Sequence, residues 1–244
     1  MRWFRNRNRV NSGGSLYGAR NAPGEVSMGK DYFALCITRT CGSGGTEVGK
    51  MLASQLGIDL YDRKLLRLAS DDSGINEKLF AKADQDTKQT LLYKVSKAVY
   101  DGEKIPPESG NFLSDRRLFD YQARVLKGLL EKESFVVLGR AADFVLKDNP
   151  NAISIFLWAS PKACFKREQE IMQTDELGVN RHIKSINHYR SDYYKYHTGN
   201  KWKNPENYDL CLRTDALGYQ GCVDVICNYV EARTGIKLKR NCGI

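Results

Sequence analysis

The sequence predicts an α/β fold, a five-stranded parallel sheet with helices on both faces. Three observations point there. Five short runs are continuously apolar, the pattern of strands buried on both sides. Segments with helical apolar spacing fall between those runs, so strand alternates with helix. A chain of 244 residues with 41 % hydrophobic and 27 % charged content suffices for one domain with a packed core.

The first strand is expected at 33–38 (FALCIT), running into the glycine-rich stretch TRTCGSGGTEVGK and a helix over 46–56. The second falls at 58–61 (IDLY), with a helix over 63–70. A long, mostly helical insert occupies 71–134, its helices across 76–100 and 114–132 flanking the turn-rich GEKIPPESGN. Strands at 135–138 (FVVL), 153–158 (ISIFLW) and 208–212 (YDLCL) alternate with helices at 141–147, 161–173 and 219–233. Residues 174–205, polar, basic and aromatic, interrupt the alternation as the insert does. In doubly wound sheets such additions lie beyond the carboxyl ends of the strands, where ligands bind.

Residues 1–30 hold five Arg and one Lys against one Glu, without helical or strand periodicity. They read as a disordered basic tail ahead of a single domain at 31–244. The tail carries about +5 of the formal +9, so nucleic-acid binding is not expected of the folded body. No apolar stretch approaches the length of a membrane span. Seven cysteines without a CxxC pair fit reduced, mostly buried thiols in a cytoplasm. Cys41, inside the glycine stretch, is the one expected to be exposed.

A glycine-rich turn between strand and helix suits phosphate, because backbone N–H groups turn inward and the helix N-terminus adds positive potential. The phosphate-loop pattern G-x-x-x-x-G-K-[ST] fits in two registers. Read literally, Gly44-x4-Gly49-Lys50 matches, but Met51 takes the hydroxyl position and Gly49–Lys50 fall inside the helix. Started at the strand end, Arg39 takes the first glycine's place, Gly44 the second, Gly45 the lysine's and Thr46 the hydroxyl's. The second register keeps an anion nest at Gly42, Ser43, Gly44 and Gly45 and a magnesium-binding hydroxyl at Thr46, but loses the lysine. Taken alone, the stretch is equally compatible with a strand–helix turn that holds no ligand.

Four stretches together resemble the cytidylate kinase-like family. Thr38–Gly45 (TRTCGSGG) is similar to its S/T-R-x-x-G-S-G-G loop, GIDLYD (57–62) to its second strand, and FVVLGRAADFVLKDNPNAISIFLWAS (135–160) to the segment where one strand ends in Gly-Arg. Residues 186–212 resemble its basic helix followed by a YY…TG…W…NYDL run. The resemblance covers roughly 33–233 and implies a P-loop kinase-like fold with a helical acceptor-side insert (71–134) and a lid (174–205). It also implies ATP and Mg²⁺ as cofactors, nucleotide substrates with CMP or dCMP foremost, and no membrane partner.

Phosphoryl transfer needs positioning and dispersed positive charge rather than a covalent catalyst. The resemblance therefore implies that residues 42–46 hold the ATP phosphates and Thr46 the Mg²⁺, with Arg39 or Lys50 in place of the lost lysine. Arg140 would take the acceptor's phosphate, since a planar fork suits it bidentately. Asp62 and Arg63 would face the acceptor, although Asp62 equally suits a helix cap. Arg167, Arg181 and Arg190 sit where the family has its lid arginines, Arg181 and Arg190 answering to the transition-state charge. Three positions depart from the family: Gly45 for lysine, Ala141 for the aspartate that grips the sugar (Asp143 is the nearest acid), and Asn187 for a lid aspartate. They leave open a non-catalytic nucleotide-binding regulator and a kinase acting on a non-nucleotide acceptor. Tyr193, Tyr194, Tyr196 and Trp202 suit core packing or base stacking. His182, His188 and His197 share no helical face and have no cysteine close in sequence, which argues against a zinc site.

Overall fold

The computed structural model describes residues 32–62, 87–99 and 116–239. The expected tail, the helix over 63–70 and much of the insert lie outside the described residues. Five strands form one sheet: β1 (Ala34–Arg39), β2 (Asp59–Tyr61), β3 (Phe135–Leu138), β4 (Ala152–Trp158) and β5 (Leu210–Arg213). Their order is β2-β3-β1-β4-β5, with every neighbouring pair parallel. The helices among the described residues are α1 (Gly45–Leu56), α2 (Thr87–Val99), α3 (Arg116–Leu130), α4 (Ala142–Val145), α5 (Pro161–Met172), α6 (Glu176–Thr198) and α7 (Thr214–Thr234).

The period-two alternation of a strand divides β1 between two cores. Ala34 and Cys36 face a cluster with Phe135 and Val137, covered by Leu92 and Val95 of α2, Leu126 and Leu129 of α3, and Tyr193 of α6. Leu35 and Ile37 face the other side, where Val48 and Leu52 of α1 meet Val223, Ile226 and Val230 of α7. Each such fully buried side chain contributes roughly 1.5–3 kcal/mol of transfer free energy. β5 is an edge strand with alternating exposure, and Cys211 is exposed there.

The helices start where local chemistry supplies acceptors. Ser160 caps α5 through the Ala163 N–H, with Pro161 at its first position. Asp175 caps α6 through the Gly178 N–H, and Gly199 ends it in the left-handed region. The polar stretch of the sequence is thus mostly one 23-residue helix, α6. A third cluster, Ala141, Phe156, Tyr194, Trp202 and Tyr208, seats it on the sheet end. No helix among the described residues is long and apolar enough to cross a membrane.

Candidate active site

β1 ends at Arg39, and the Thr40 N–H donates to the Leu157 carbonyl of β4 (3.0 Å). The chain then turns through Gly42 (φ +76°) and Gly44 (φ +73°) into α1. Ser43 is buried: its Oγ donates to the Thr40 carbonyl (2.8 Å), and its own carbonyl accepts from Thr214 Oγ1 (2.7 Å). The N–H groups of Gly45, Thr46 and Glu47 open α1, where no intrahelical acceptor exists and the dipole favours an anion. Thr46 is half-buried, and its hydroxyl makes no hydrogen bond among the described residues.

The missing lysine has a steric explanation. A Cβ at Gly45 would lie 2.5 Å from Arg39 Cβ and 2.9 Å from its Cγ, so the stem of Arg39 fills the room that a side chain at 45 needs. The literal register does not form. Gly49 packs inside α1 against Leu138, and Lys50 is exposed to solvent, away from the cavity described below.

That cavity, about 150 Å³, opens at the carboxyl ends of β1 and β3 under α6. Its polar wall is Thr38, Arg39, Arg140 and Arg190, and its apolar wall includes Tyr189, Tyr193, Tyr194 and Trp202. Arg140 reaches it from an unusual turn. Gly139, Arg140 and Ala141 are three consecutive residues at positive φ (75°, 61° and 49°), two of them without glycine's freedom. The Arg140 guanidinium sits over the Tyr193 ring, 5.3 Å from its centroid. Arg190 spans from α6 to the loop, donating to the Arg39 carbonyl (2.9 Å).

Three guanidiniums this close repel. Burial pushes the Arg39 pKa down to about 9, the Arg190 charge helps, Arg140 adds, and Asp62 opposes. Arg39 Nε is shielded from solvent with no hydrogen-bond partner among the described residues. Burial also lowers Arg190. Such a cluster is an anion site by charge and by donor geometry alike. Asp143 stands at its back, buried, its carboxylate accepting from Tyr194 Oη (2.6 Å). Burial raises the Asp143 pKa to about 6, with the Tyr194 bond opposing.

The structure thus brings together Arg39, Arg140 and Arg190, with the loop residues 42–46 next to Arg39 in the chain and Asp62 close enough for its charge to act on Arg39. It does not bring Lys50 or Arg181 to the cavity; both are exposed on helix surfaces. Arg63 lies outside the described residues. Arg167 pairs with Glu47 (2.6 Å) and donates to Tyr219 Oη (2.6 Å), bracing α5 against α1 and α7. Ala141 has no room for a sugar-gripping side chain, since it is buried among Phe156, Tyr194, Trp202 and Tyr208. Tyr193, Tyr194 and Trp202 both pack and line the cavity, whereas Tyr196 is exposed.

Sequence reasoning missed Asn187's task and misjudged Cys41. Asn187 Oδ1 accepts the Cys41 N–H (2.8 Å), tying α6 to the loop. Cys41 is therefore buried rather than exposed, and burial, with Glu168 next to it, pushes its thiol up to about 12. The NYDL run is a fastening. Tyr208 Oη donates to the Trp202 carbonyl (2.7 Å), and the Asp209 carboxylate accepts from Ser154 N–H and Oγ (2.8 and 2.6 Å).

A parallel five-stranded sheet covered on both faces, with a glycine turn after β1 and an arginine-lined cavity beside it, defines a doubly wound α/β architecture with a strand-end site. The chain belongs to the cytidylate kinase-like family, whose model matches residues 34–216. It is 26 % identical over 158 residues to a cytidylate kinase of Fervidobacterium nodosum, covering 59 % of this chain and 72 % of that one. A crystal structure of an uncharacterized protein from Eubacterium ventriosum is similar at a TM-score of 0.60 and 26 % identity, over 82 % of this chain and 99 % of the other.

Proposed function

We propose that this protein transfers the γ-phosphoryl group of ATP to a nucleoside monophosphate, CMP or dCMP foremost. The observation that carries the reading is the convergence of Arg39, Arg140 and Arg190, from three separate elements, on one cavity next to the glycine loop. Family membership supports the kinase-type chemistry.

The residues fit the groups the reaction requires. The first-turn amides of α1 and the nest at 42–45 suit the ATP phosphates. The uncommitted Thr46 hydroxyl would hold Mg²⁺, which would supply charge neutralisation of the phosphates. Arg39 takes over the role of the lysine, holding its charge where Gly45 leaves space. Arg140 grips the acceptor's phosphate with a planar fork, and Asp62 faces the same side. Arg190, fixed to the Arg39 carbonyl, meets the charge that develops on the transferring group. Lys50 and Arg181, being exposed, are left out of this reading.

One observation favours a second reading, a kinase acting on a non-nucleotide acceptor. Ala141 stands among aromatic rings, and the Asp143 carboxylate is engaged by Tyr194. The cavity therefore offers an aromatic wall where a sugar diol would need an acceptor. A coupled assay of ATP turnover with a panel of nucleoside monophosphates separates the readings. Turnover that depends on CMP or dCMP supports the first. ADP formation only with phosphorylated or hydroxylated non-nucleotides supports the second. A nucleotide-dependent rise in melting temperature without turnover replaces both with a binding regulator.

A further inference from the structure

Three metal-ligating side chains meet where the glycine loop, α5 and α6 touch. Cys41 Sγ, a carboxylate oxygen of Glu168 and an imidazole nitrogen of His182 all lie within 4.8 Å of one another. The His182 Nε2 to Glu168 Oε2 separation is 3.6 Å, close to the roughly 3.5 Å between neighbouring ligands of a tetrahedral Zn²⁺ with bonds of about 2.0–2.3 Å. We propose that these residues form a site for a soft divalent cation, Zn²⁺ foremost, that clamps α6 and α5 to the loop.

The donor set suits that ion. One sulfur, one nitrogen and one oxygen ligand with a fourth position left to water is a three-ligand zinc arrangement, and the thiolate favours Zn²⁺ over Mg²⁺ or Ca²⁺. Charge closes as well. A thiolate and a carboxylate neutralise a dication, with a neutral imidazole completing the set, so the metal-loaded site is electrically neutral. A thiolate and a carboxylate in contact repel unless a cation stands between them. Without metal a proton fills that role. On binding, the Cys41 S–H bond breaks, an S–Zn bond forms, and the proton leaves to solvent.

Each ligand is held from outside the site. The Cys41 amide is fixed by Asn187, which lies on α6 with His182. Glu168 follows Arg167, which is itself held by Glu47 and Tyr219. The Arg190 charge favours the thiolate form of Cys41, and its guanidinium is engaged with the Arg39 carbonyl. The sequence argument against zinc weighed only cysteines near the histidines in sequence. The one that serves is 141 positions away and arrives only when α6 docks.

Full-length, metal-free protein titrated with CoCl₂ under a phosphine reductant tests the site. One equivalent of Co²⁺ is expected to give thiolate-to-cobalt charge-transfer absorption, bleached by ZnCl₂, and Zn²⁺ is expected to raise the melting temperature. Cys41→Ser abolishes the charge-transfer signal. His182→Ala and Glu168→Gln each weaken binding by about a hundredfold or more, since loss of even an outer-shell partner typically costs 10–100-fold. His182 is half-exposed, so its alanine variant keeps the fold, checked by its metal-free melting temperature. No charge-transfer absorption in the wild-type protein overturns the proposal. So does a signal that persists in Cys41→Ser or is undiminished in His182→Ala, which assigns it to other thiols.

Discussion

The glycine loop and the arginine cavity present positive potential at the same end of the sheet, but they hold it differently. In the loop it resides in backbone amides fixed by φ angles and close packing, with Gly44 against Tyr219 and Gly45 against Arg39. In the cavity it resides in three guanidiniums that repel one another. The first arrangement is stable by itself and intolerant of added atoms. The second is costly until an anion arrives and tolerant of truncation. A lysine at 45 would have joined the two; here the charge has moved wholly to the cavity side.

Removing a cavity charge sharpens that contrast most. Arg140→Met is expected to lower kcat/KM for the acceptor by about 1000-fold, roughly 4 kcal/mol of transition-state stabilisation. The melting temperature of the free protein should hold or rise, because a like charge has left. Arg140→Lys should not restore activity, since an ammonium lacks the fork. A loss of stability that parallels the loss of activity would make Arg140 a structural residue instead.

Adding one methyl to the loop should do the opposite. Gly44→Ala forces a left-handed conformation on a residue with a side chain and drives its Cβ into the Tyr219 ring. A stability loss of about 2–3 kcal/mol is expected by chemical denaturation. Adding Tyr219→Ala should return the steric part and leave the backbone part, of order 1–2 kcal/mol. Wild-type stability in the single variant would break the comparison.

The smallest effect concerns Asp143. Its pKa is raised from 3.8 to about 6, so between those values the folded protein binds more protons than the unfolded. Stability therefore falls as pH rises from about 4 to 6, and the full cost persists above that range. Asp143→Asn is expected to be about 1–3 kcal/mol more stable at pH 7.5. The gain should vanish near pH 4, as followed by urea denaturation across pH.

The strands were legible because continuous apolar runs have few other uses in a chain of this composition. Expected and observed strand bounds differ by at most two residues, most at β5, an edge strand that the polar Asp209 precedes. The loop's register was legible from strand phase, and Arg140 from its place after β3. The turn that aims Arg140 was not, since neither arginine nor alanine signals a positive φ as glycine does. Long-range pairings were equally hidden. Nothing local in Asn187 foretells that it takes the Cys41 amide, and loops are ordinarily solvent-facing, so the burial of Cys41 under α6 ran against expectation. Lys50 and Arg181 drew notice through motif position, but helix phase turns both outward.

Thr214 and Tyr219 give the fold a temporal consequence. The glycine loop is made well before α7, yet its shape depends on a hydroxyl and a ring more than 170 residues later. During synthesis, when chains emerge N-terminal end first, the nascent polypeptide lacks these braces until α7 has left the ribosome. A ribosome stalled before residue 214 would hold a chain whose glycine loop still lacks both braces, so the loop takes its final shape only after α7 has emerged.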